Sequence, residues 1–147
     1  GELSPALDNL SVYASYAYVN AEIREKGDTY GNQVPFSPKH KGTFGVDYKP
    51  GSWTFNLNSD FQSSQFADNA NTVAESADGS TGRIPGYMLW GARVAYDFGP
   101  QMANLNLALG VKNIFDHEYY TRSYDDNNKG LYAGQPRTLY LQGSMKF

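Results

Sequence analysis

Apolar and polar residues alternate along six stretches of the chain, which is the pattern of β-strands with two different faces. The clearest stretch begins at Trp53, where Trp53, Phe55 and Leu57 alternate with threonine and asparagine residues. No stretch has the 3.6-residue period and the capping residues of a helix. The alternation therefore predicts an all-β protein with strands at about residues 10–24, 40–49, 53–66, 87–98, 104–118 and 137–147.

The connections between these predicted strands alternate between long and short. Residues 25–39, 67–85 and 119–136 are long and polar, whereas residues 49–52 and 99–101 are tight turns that contain glycine and proline. Antiparallel strands joined in this order place the long loops at one end of the sheet and the short turns at the other. This asymmetry is typical of outer-membrane β-barrels, which have short periplasmic turns and long extracellular loops.

Strand length and aromatic placement favour a membrane barrel over a soluble β-sandwich. The predicted strands reach about 10 to 15 residues, against about 5 to 6 in globular sheets. Aromatic residues lie near both ends of the apolar faces, where two membrane interfaces would place them. Six strands are too few for a closed membrane barrel, since the smallest have about eight strands. An open sheet would expose unpaired backbone groups to lipid. We therefore expect an antiparallel six-strand arc of a larger transmembrane β-barrel.

Composition and charge exclude several other classes of protein. The 147 residues include 12 lysines and arginines and 15 acidic residues, and no basic cluster indicates nucleic-acid binding. The absence of cysteine excludes disulfides, thiolate metal sites and a cysteine nucleophile. The mean hydropathy is −0.58, and no apolar run approaches the ~20 residues of a membrane-spanning helix. Alternating strands with one polar face account for this low value.

Catalytic and metal sites have little support in the sequence. The histidines are His40 and His117, and neither belongs to a pattern of nucleophile, base and orienting group. Residues 125–130 resemble a calcium loop, but Lys129 occupies a ligand position and no glutamate follows at the twelfth place. We predict no enzyme activity, no metal site and no directly bound cofactor.

Two segments near the end of the chain resemble the C-terminal signature of TonB-dependent outer-membrane receptors. Residues 111–120 read VKNIFDHEYY, residues 134–140 read GQPRTLY, and the chain ends on Phe147. Residues 31–41 and 123–130 further resemble the ferric citrate branch of that family. The resemblance implies a 22-stranded barrel in the bacterial outer membrane, of which this chain is the C-terminal part, without the plug domain.

The resemblance also implies a function and a set of partners. The whole receptor would transport ferric citrate or a similar ferric siderophore, and residues 1–147 would contribute barrel wall and extracellular loops. The implied partners are outer-membrane lipid, the remaining barrel and plug, the barrel-assembly machinery, and a TonB-type energy transducer that contacts the missing N-terminal part. The alternative is a structural or assembly fragment without transport activity, which self-associates as a minimal barrel or serves as an assembly-machinery substrate.

Three groups of residues are candidates for specific roles. An anionic ferric chelate requires cationic side chains, and the candidates are Arg83 and Arg122 near loop ends and Lys129 within the last loop. The alternative for each of them, which the sequence favours, is an ordinary solvated loop side chain, and Arg137 is expected to be structural. Mid-strand charges are tolerated only toward a wet lumen or a plug, which we expect for Asp47, Asp60, Arg93, Asp97 and Lys112. The apolar residues of the last strand resemble a barrel-assembly signal, namely Leu139, Leu141, Met145 and Phe147.

Overall fold

The computed structural model describes residues 8–123 and 130–146. There, six strands form one antiparallel sheet: β1 (Leu10–Tyr18), β2 (His40–Tyr48), β3 (Trp53–Gln62), β6 (Tyr87–Asp97), β7 (Asn106–Lys112) and β10 (Thr138–Ser144). Two hairpins lie in the long loops, formed by β4 (Gln65–Phe66) with β5 (Arg83–Ile84) and by β8 (Tyr120–Ser123) with β9 (Leu131–Ala133). The sheet order is β1-β2-β3-β6-β7-β10, so each of these six strands pairs with the one that precedes or follows it among the six. The predicted all-β, antiparallel fold is confirmed.

Three of the strands end at least four residues earlier than the alternation predicts. β1 ends at Tyr18 instead of about residue 24, and β3 ends at Gln62 instead of about residue 66. β7 spans Asn106–Lys112 instead of residues 104–118, and it ends just before Asn113, whose φ of +50° lies outside the extended region. Beyond β3, Gln65 and Phe66 pair with β5 in a separate ladder. No helix within the described ranges is long and apolar enough to span a membrane.

The strand register gives the sheet one apolar and one polar face. Leu57 pairs with Val46 and Ala92 across the middle of the apolar face. One residue earlier, Asn56 pairs with Asp47 and Arg93 on the polar face. The apolar face is uncovered, since its side chains include Leu139 at 74% and Leu141 at 76% exposed. An apolar surface this extensive requires an apolar environment or a partner.

Aromatic rings form a belt at each end of the apolar face. At the loop end, the Tyr16 hydroxyl lies 2.7 Å from Nδ1 of His40, and the Tyr18 ring lies 5.2 Å from the His40 ring. At the turn end, neighbouring ring centroids lie 4.8–6.3 Å apart along a row made of Tyr48, Phe55, Trp53, Tyr96 and Phe98. Two belts flanking an apolar band are the arrangement of a membrane barrel.

Two tyrosines on the polar face lie across glycines of the neighbouring strand. Tyr13 pairs with Gly45, and Tyr140 pairs with Gly110. In both pairs, a Cβ added to the glycine would overlap the tyrosine ring. Each ring covers a backbone position that has no side chain, so these pairs help to set the register between strands.

Substituting Gly110 by alanine is therefore expected to destabilise the sheet by about 1–3 kcal/mol, because the Tyr140 ring must leave its place over the strand. Gly143→Ala is the matched control, since its Cβ would meet the Leu107 side chain at 3.4 Å. Urea unfolding of the lipid-reconstituted protein, followed by tryptophan fluorescence, measures both free energies. An equal change in the two variants would contradict the packing argument.

Candidate functional site

The three long connections lie at one end of the sheet, and we name them loop A (residues 19–39), loop B (63–86) and loop C (113–137). Loop A docks on loop B through backbone and amide groups. The Phe36 N–H donates to the Phe66 carbonyl at 2.9 Å. The Asn71 side chain accepts from the Gln33 N–H at 2.6 Å and donates to the Gln33 carbonyl at 2.8 Å. These paired contacts attach loop A to loop B at more than one point.

Loop B docks in turn on the described part of loop C. Gln65 is only 3% exposed, and its Nε2 donates to the Thr121 carbonyl at 2.7 Å. The backbones also come close where a Cβ on Gly79 would lie 3.2 Å from Gly130. The three loops therefore form one connected layer over the loop end of the sheet.

Asp68 organises the interior of loop B. Its carboxylate accepts hydrogen bonds from the Thr72 hydroxyl at 2.8 Å and from the backbone N–H groups of Thr72 and Gly82, both at 3.3 Å. Burial raises the pKa of Asp68, but these hydrogen bonds, together with one from the Ala70 backbone, outweigh burial and lower the pKa below its ordinary value of 3.8. The ionised carboxylate thus stabilises the folded loop.

The lowered pKa predicts that loop B loosens in acid. A carboxyl group whose pKa is lower in the folded state stabilises above its ordinary value of 3.8 and loses that contribution as the pH falls through the lowered pKa. Hydrogen exchange of loop B, corrected for the intrinsic rate, should therefore rise in acid. Asp68→Asn should remove this pH dependence, whereas Asp28→Asn, at an exposed position of loop A, should retain it. A wild-type loop with no change in acid would contradict the prediction.

Asn113 anchors both ends of loop C. Its side chain is 6% exposed, and its Nδ2 donates to the carbonyls of His117 at 2.9 Å and Gln135 at 3.1 Å. Its Oδ1 accepts from the His117 N–H at 2.9 Å. Nearby, the Asp116 carboxylate accepts from the Arg137 N–H at 2.8 Å. The two segments that carry the family resemblance are therefore held together by side chain to backbone hydrogen bonds.

The polar face carries a network of amides, hydroxyls and carboxylates. Asn56 donates to Asp47 at 2.7 Å, Asn58 donates to Asn56 at 2.7 Å, and the Thr43 hydroxyl donates to Asp60 at 2.8 Å. Beside the network lies a concavity of about 330 Å³, whose lining includes Asn58, Asp60, Lys112, Tyr119 and Tyr140. This face is built to contact water or polar protein rather than lipid.

The register places all five charged candidates on this polar face, namely Asp47, Asp60, Arg93, Asp97 and Lys112. Asp97 lies at the turn end and accepts from the Gly99 N–H at 2.8 Å. The Lys112 ammonium lies 5.8 Å from the centroid of the Tyr140 ring. The Arg93 guanidinium has no hydrogen bond or ion pair with the residues described.

The candidate ligand residues are described only in part. Arg83 lies on β5 with an exposed side chain, and no residue in the described ranges pairs with its guanidinium. The Arg122 side chain and Lys129 lie outside the described residues. Of the predicted assembly signal, Leu139 and Leu141 are exposed on the apolar face of β10, and Met145 follows the end of β10. Phe147 lies outside the described residues.

The described residues contain no cluster of three or more histidine, aspartate or glutamate side chains that could hold a metal ion. Most of the calcium-like stretch, residues 125–129, lies outside them. His40 contacts Tyr16 and Tyr18, whereas the hydrogen bonds of His117 within the described part come from its backbone. No arrangement of a catalytic base with an orienting carboxylate is present among these residues.

Comparison with known proteins gives a consistent result. A family model described as TonB dependent receptor-like, beta-barrel matches residues 2–114. A crystal structure of the ferric citrate transporter FecA in the unliganded form is 88% identical, with a TM-score of 0.94 over 98% of this chain and 22% of that chain. The siderophore receptor PiuA from Acinetobacter baumannii shares the fold at 22% identity and a TM-score of 0.77, over 95% of this chain and 20% of that chain.

More distant curated relatives match almost the whole chain. The ferrichrome outer membrane transporter/phage receptor of Escherichia coli is 27% identical over 95% of this chain and 18% of its own length. The metal-pseudopaline receptor CntO of Pseudomonas aeruginosa is 27% identical over 95% of this chain and 19% of its own length. The chain thus spans about a fifth of the length of these relatives.

Proposed function

Because the chain belongs to the TonB dependent receptor-like, beta-barrel family, and is therefore a segment of an outer-membrane protein, we propose that it is the C-terminal part of a receptor that imports ferric citrate. A similar ferric siderophore is the second candidate ligand. The observation that carries the proposal is the 88% identity to a ferric citrate transporter over 98% of the chain. The relatives are named as transporters and receptors, and we assign no catalytic step to this chain.

The open edges of the sheet support completion of the barrel by strands outside this chain. Within the described residues, β1 pairs only with β2, and β10 pairs only with β7. Each unpaired N–H or carbonyl that faces lipid would cost several kcal/mol. In the proposed receptor, both edges continue into a 22-stranded barrel, which removes that cost.

The polar face then lines the lumen and contacts water or a plug domain supplied by the rest of the receptor. The Arg93 guanidinium is available for such a contact, because it has no hydrogen bond or ion pair within the described ranges. Asp47 and Asp60 already accept hydrogen bonds from side chains of neighbouring strands. They would contribute polar groups to the lumen-facing wall of the barrel.

Loops A, B and C contribute to the extracellular mouth. An anionic ferric chelate is recognised best by guanidinium groups, which bind carboxylates in bidentate fashion. Arg83 projects from the docked loop layer with an unpaired guanidinium and is our first candidate, together with Arg122 and Lys129. Arg83 belongs to loop B, which is hydrogen-bonded to both loop A and loop C. A ligand that contacts Arg83 would therefore contact this connected layer of loops.

Two protein partners follow from the proposal. A TonB-type transducer would supply energy through a part of the receptor outside this chain. The barrel-assembly machinery would pair with the free edge of β10 by β-augmentation, reading Leu139, Leu141, Met145 and Phe147. The same free edge favours the second candidate function, a fragment that self-associates or engages the assembly machinery without transport.

Uptake of radiolabelled iron tests the proposal in cells that express the complete receptor carrying this segment. We expect energy-dependent uptake of ferric citrate. Arg83→Gln should weaken ferric citrate binding and so raise severalfold the ferric citrate concentration at half-maximal uptake. Arg24→Gln should leave this concentration unchanged, because the Arg24 guanidinium pairs with Glu22 at 2.9 Å. A receptor that imports only a chemically different chelate would contradict the ligand assignment.

Calorimetry of the chain alone separates the two candidate functions. If binding requires plug and barrel together, the isolated six strands should show no heat of ferric citrate binding. Micromolar binding by the isolated chain would overturn that view. A single detergent-solubilised oligomer with a defined mass and no uptake activity would favour the self-associating fragment instead.

A further inference from the structure

The concavity of about 330 Å³ on the polar face lies where the strands meet loop C, and we call it the polar concavity. Its lining includes Gly91 of β6, Lys112 at the end of β7, and Tyr119 and Gln135 of loop C. In the proposed receptor it opens to the lumen directly below the loops. A ligand that leaves the extracellular mouth would therefore meet it on entering the lumen.

Lys112 supplies a positioned and unpaired cation to the polar concavity. Its ammonium lies 5.8 Å from the centroid of the Tyr140 ring, and that ring covers Gly110 on the neighbouring strand. Among the residues described, no carboxylate lies within ion-pair distance of the Lys112 ammonium. The three ammonium hydrogens are therefore available to an anion that enters the concavity.

Two neutral donors of loop C lie beside this cation. The Tyr119 ring covers Gly134 and packs against the Tyr87 ring, with 4.5 Å between the ring centroids. Its hydroxyl oxygen accepts the Gln135 N–H at 3.0 Å, so the hydroxyl hydrogen remains available. The Gln135 side-chain amide has no hydrogen-bond partner in the described part of the chain. Lys112, Tyr119 and Gln135 together present hydrogen-bond donors to one space.

Asp60 gives the polar concavity one opposing charge. Its carboxylate accepts the Thr43 hydroxyl at 2.8 Å, and the lining residues other than Asp60 and Lys112 are neutral. A carboxylate this close to the bound ligand repels an anion and lowers its affinity. Weak binding suits a point of transit, because a ligand that moves on must be released as well as bound.

We propose that the polar concavity is a second, weaker binding site for the ferric chelate, which holds one of its carboxylates after the chelate leaves the loops. Lys112, Tyr119 and Gln135 donate hydrogen bonds to the carboxylate oxygens, and Asp60 limits the affinity. The inference rests on the proposed import of an anionic chelate. It assigns Lys112 to the transfer of the chelate into the lumen, whereas Arg83 acts in its capture at the mouth.

The volume of the polar concavity favours the chelate as its occupant. About 330 Å³ is within the range of small-molecule sites, about 300–1,000 Å³, and exceeds what a single aspartate or glutamate side chain fills. A carboxylate of the plug domain would offer the same chemistry to Lys112. The experiment therefore has to distinguish these two sources of the carboxylate.

Fluorine NMR of the intact receptor carrying this segment detects the occupant directly, with fluorotyrosine introduced at Tyr119 and gallium citrate as a diamagnetic probe. The fluorine resonance should shift as gallium citrate is added. Lys112→Gln should weaken this titration about tenfold, the scale of a lost hydrogen bond to a charged group. Lys112→Arg should keep most of the affinity, and Asp60→Asn should raise it.

Two controls show whether the shift is local. Fluorotyrosine at Tyr13, which lies over Gly45 on the same face, should not respond to gallium citrate. Lys49→Gln, at an exposed position in a short turn, should leave the titration at Tyr119 unchanged. A titration that Lys112→Gln does not weaken would overturn the proposal. A resonance that moves in Lys112→Gln without ligand and ignores gallium citrate would assign the site to a plug carboxylate, which also overturns it.

Uptake kinetics test the role of Lys112 in transfer. Lys112→Gln should lower the maximal rate of iron uptake severalfold and leave the concentration at half-maximal uptake unchanged, which is the reverse of the effect expected for Arg83→Gln. Lys112→Arg should restore most of the rate. An unchanged maximal rate in Lys112→Gln would contradict this inference alone. Absence of ferric citrate uptake by the wild-type receptor would instead contradict the proposed function.

Discussion

Replacing Asn113 by alanine is expected to destabilise the protein by about 2–4 kcal/mol, because three hydrogen bonds are lost from a buried site. The carbonyls of His117 and Gln135 would lose the donor that joins them, and both ends of loop C would separate. The effect should be visible as a lower unfolding free energy and as faster protease cleavage within loop C. The measurement is urea unfolding of the reconstituted receptor, with proteolysis followed by mass spectrometry.

Two further variants identify the cause of this loss. Asn113 has a φ of +50°, so alanine adds backbone strain that glycine does not. Asn113→Gly should therefore be more stable than Asn113→Ala but less stable than the wild type. Asn20→Ala is the matched control, because the exposed Asn20 side chain makes a single bond to Glu22 at 2.9 Å. A wild-type stability for Asn113→Ala would disprove the anchoring role.

An arginine in place of Leu57 is expected to cost about 2–4 kcal/mol, which is the penalty for a cation at the lipid-facing midplane of a barrel. Leu57 lies in the middle of β3 and pairs with Val46 and Ala92. Position 57 is also midway between the two aromatic belts, so the introduced arginine side chain cannot readily reach a membrane interface. Folding into lipid vesicles, assayed by electrophoretic mobility without heating, should give a reduced yield and a lower urea midpoint.

Gln142→Arg is the control for this substitution. Gln142 is exposed and lies on the polar face of β10, opposite Ala108. Because that face meets the lumen in the proposed receptor, the added charge should change the unfolding free energy by less than about 1 kcal/mol. Equal penalties at Leu57 and Gln142 would show that the two faces do not differ in environment.

The two faces could be predicted from the sequence because strand periodicity is local. A period of two assigns Leu57 and Asn58 to opposite faces without knowledge of the neighbouring strands. Antiparallel hairpins then align those faces, and the observed pairs Leu57 with Ala92 and Asn56 with Arg93 follow. The aromatic belts could be predicted for the same reason, since Tyr48 and Trp53 lie at the strand ends next to a short turn.

The loop layer could not be predicted, because its contacts join residues far apart in the sequence. Gln65 contacts Thr121, and Asn71 contacts Gln33, and no periodic pattern marks either pair. Asn113 carried one local signal, since asparagine tolerates a positive φ better than most residues. β7 ends just before this residue, so the predicted strand at residues 104–118 is too long.

Single-cysteine labelling tests the central claim, that these six strands are an arc of an outer-membrane barrel with lipid on one face and an aqueous or plug-filled lumen on the other. The chain has no cysteine, so each introduced thiol is unique within it. In the receptor within its native membrane, fluorophores at Leu57, Leu109 and Leu141 should be quenched by lipid-attached nitroxides. Fluorophores at Asn56, Asn58 and Gln142 should escape this quenching. Equal quenching on both faces, or quenching of the polar set alone, would contradict the account.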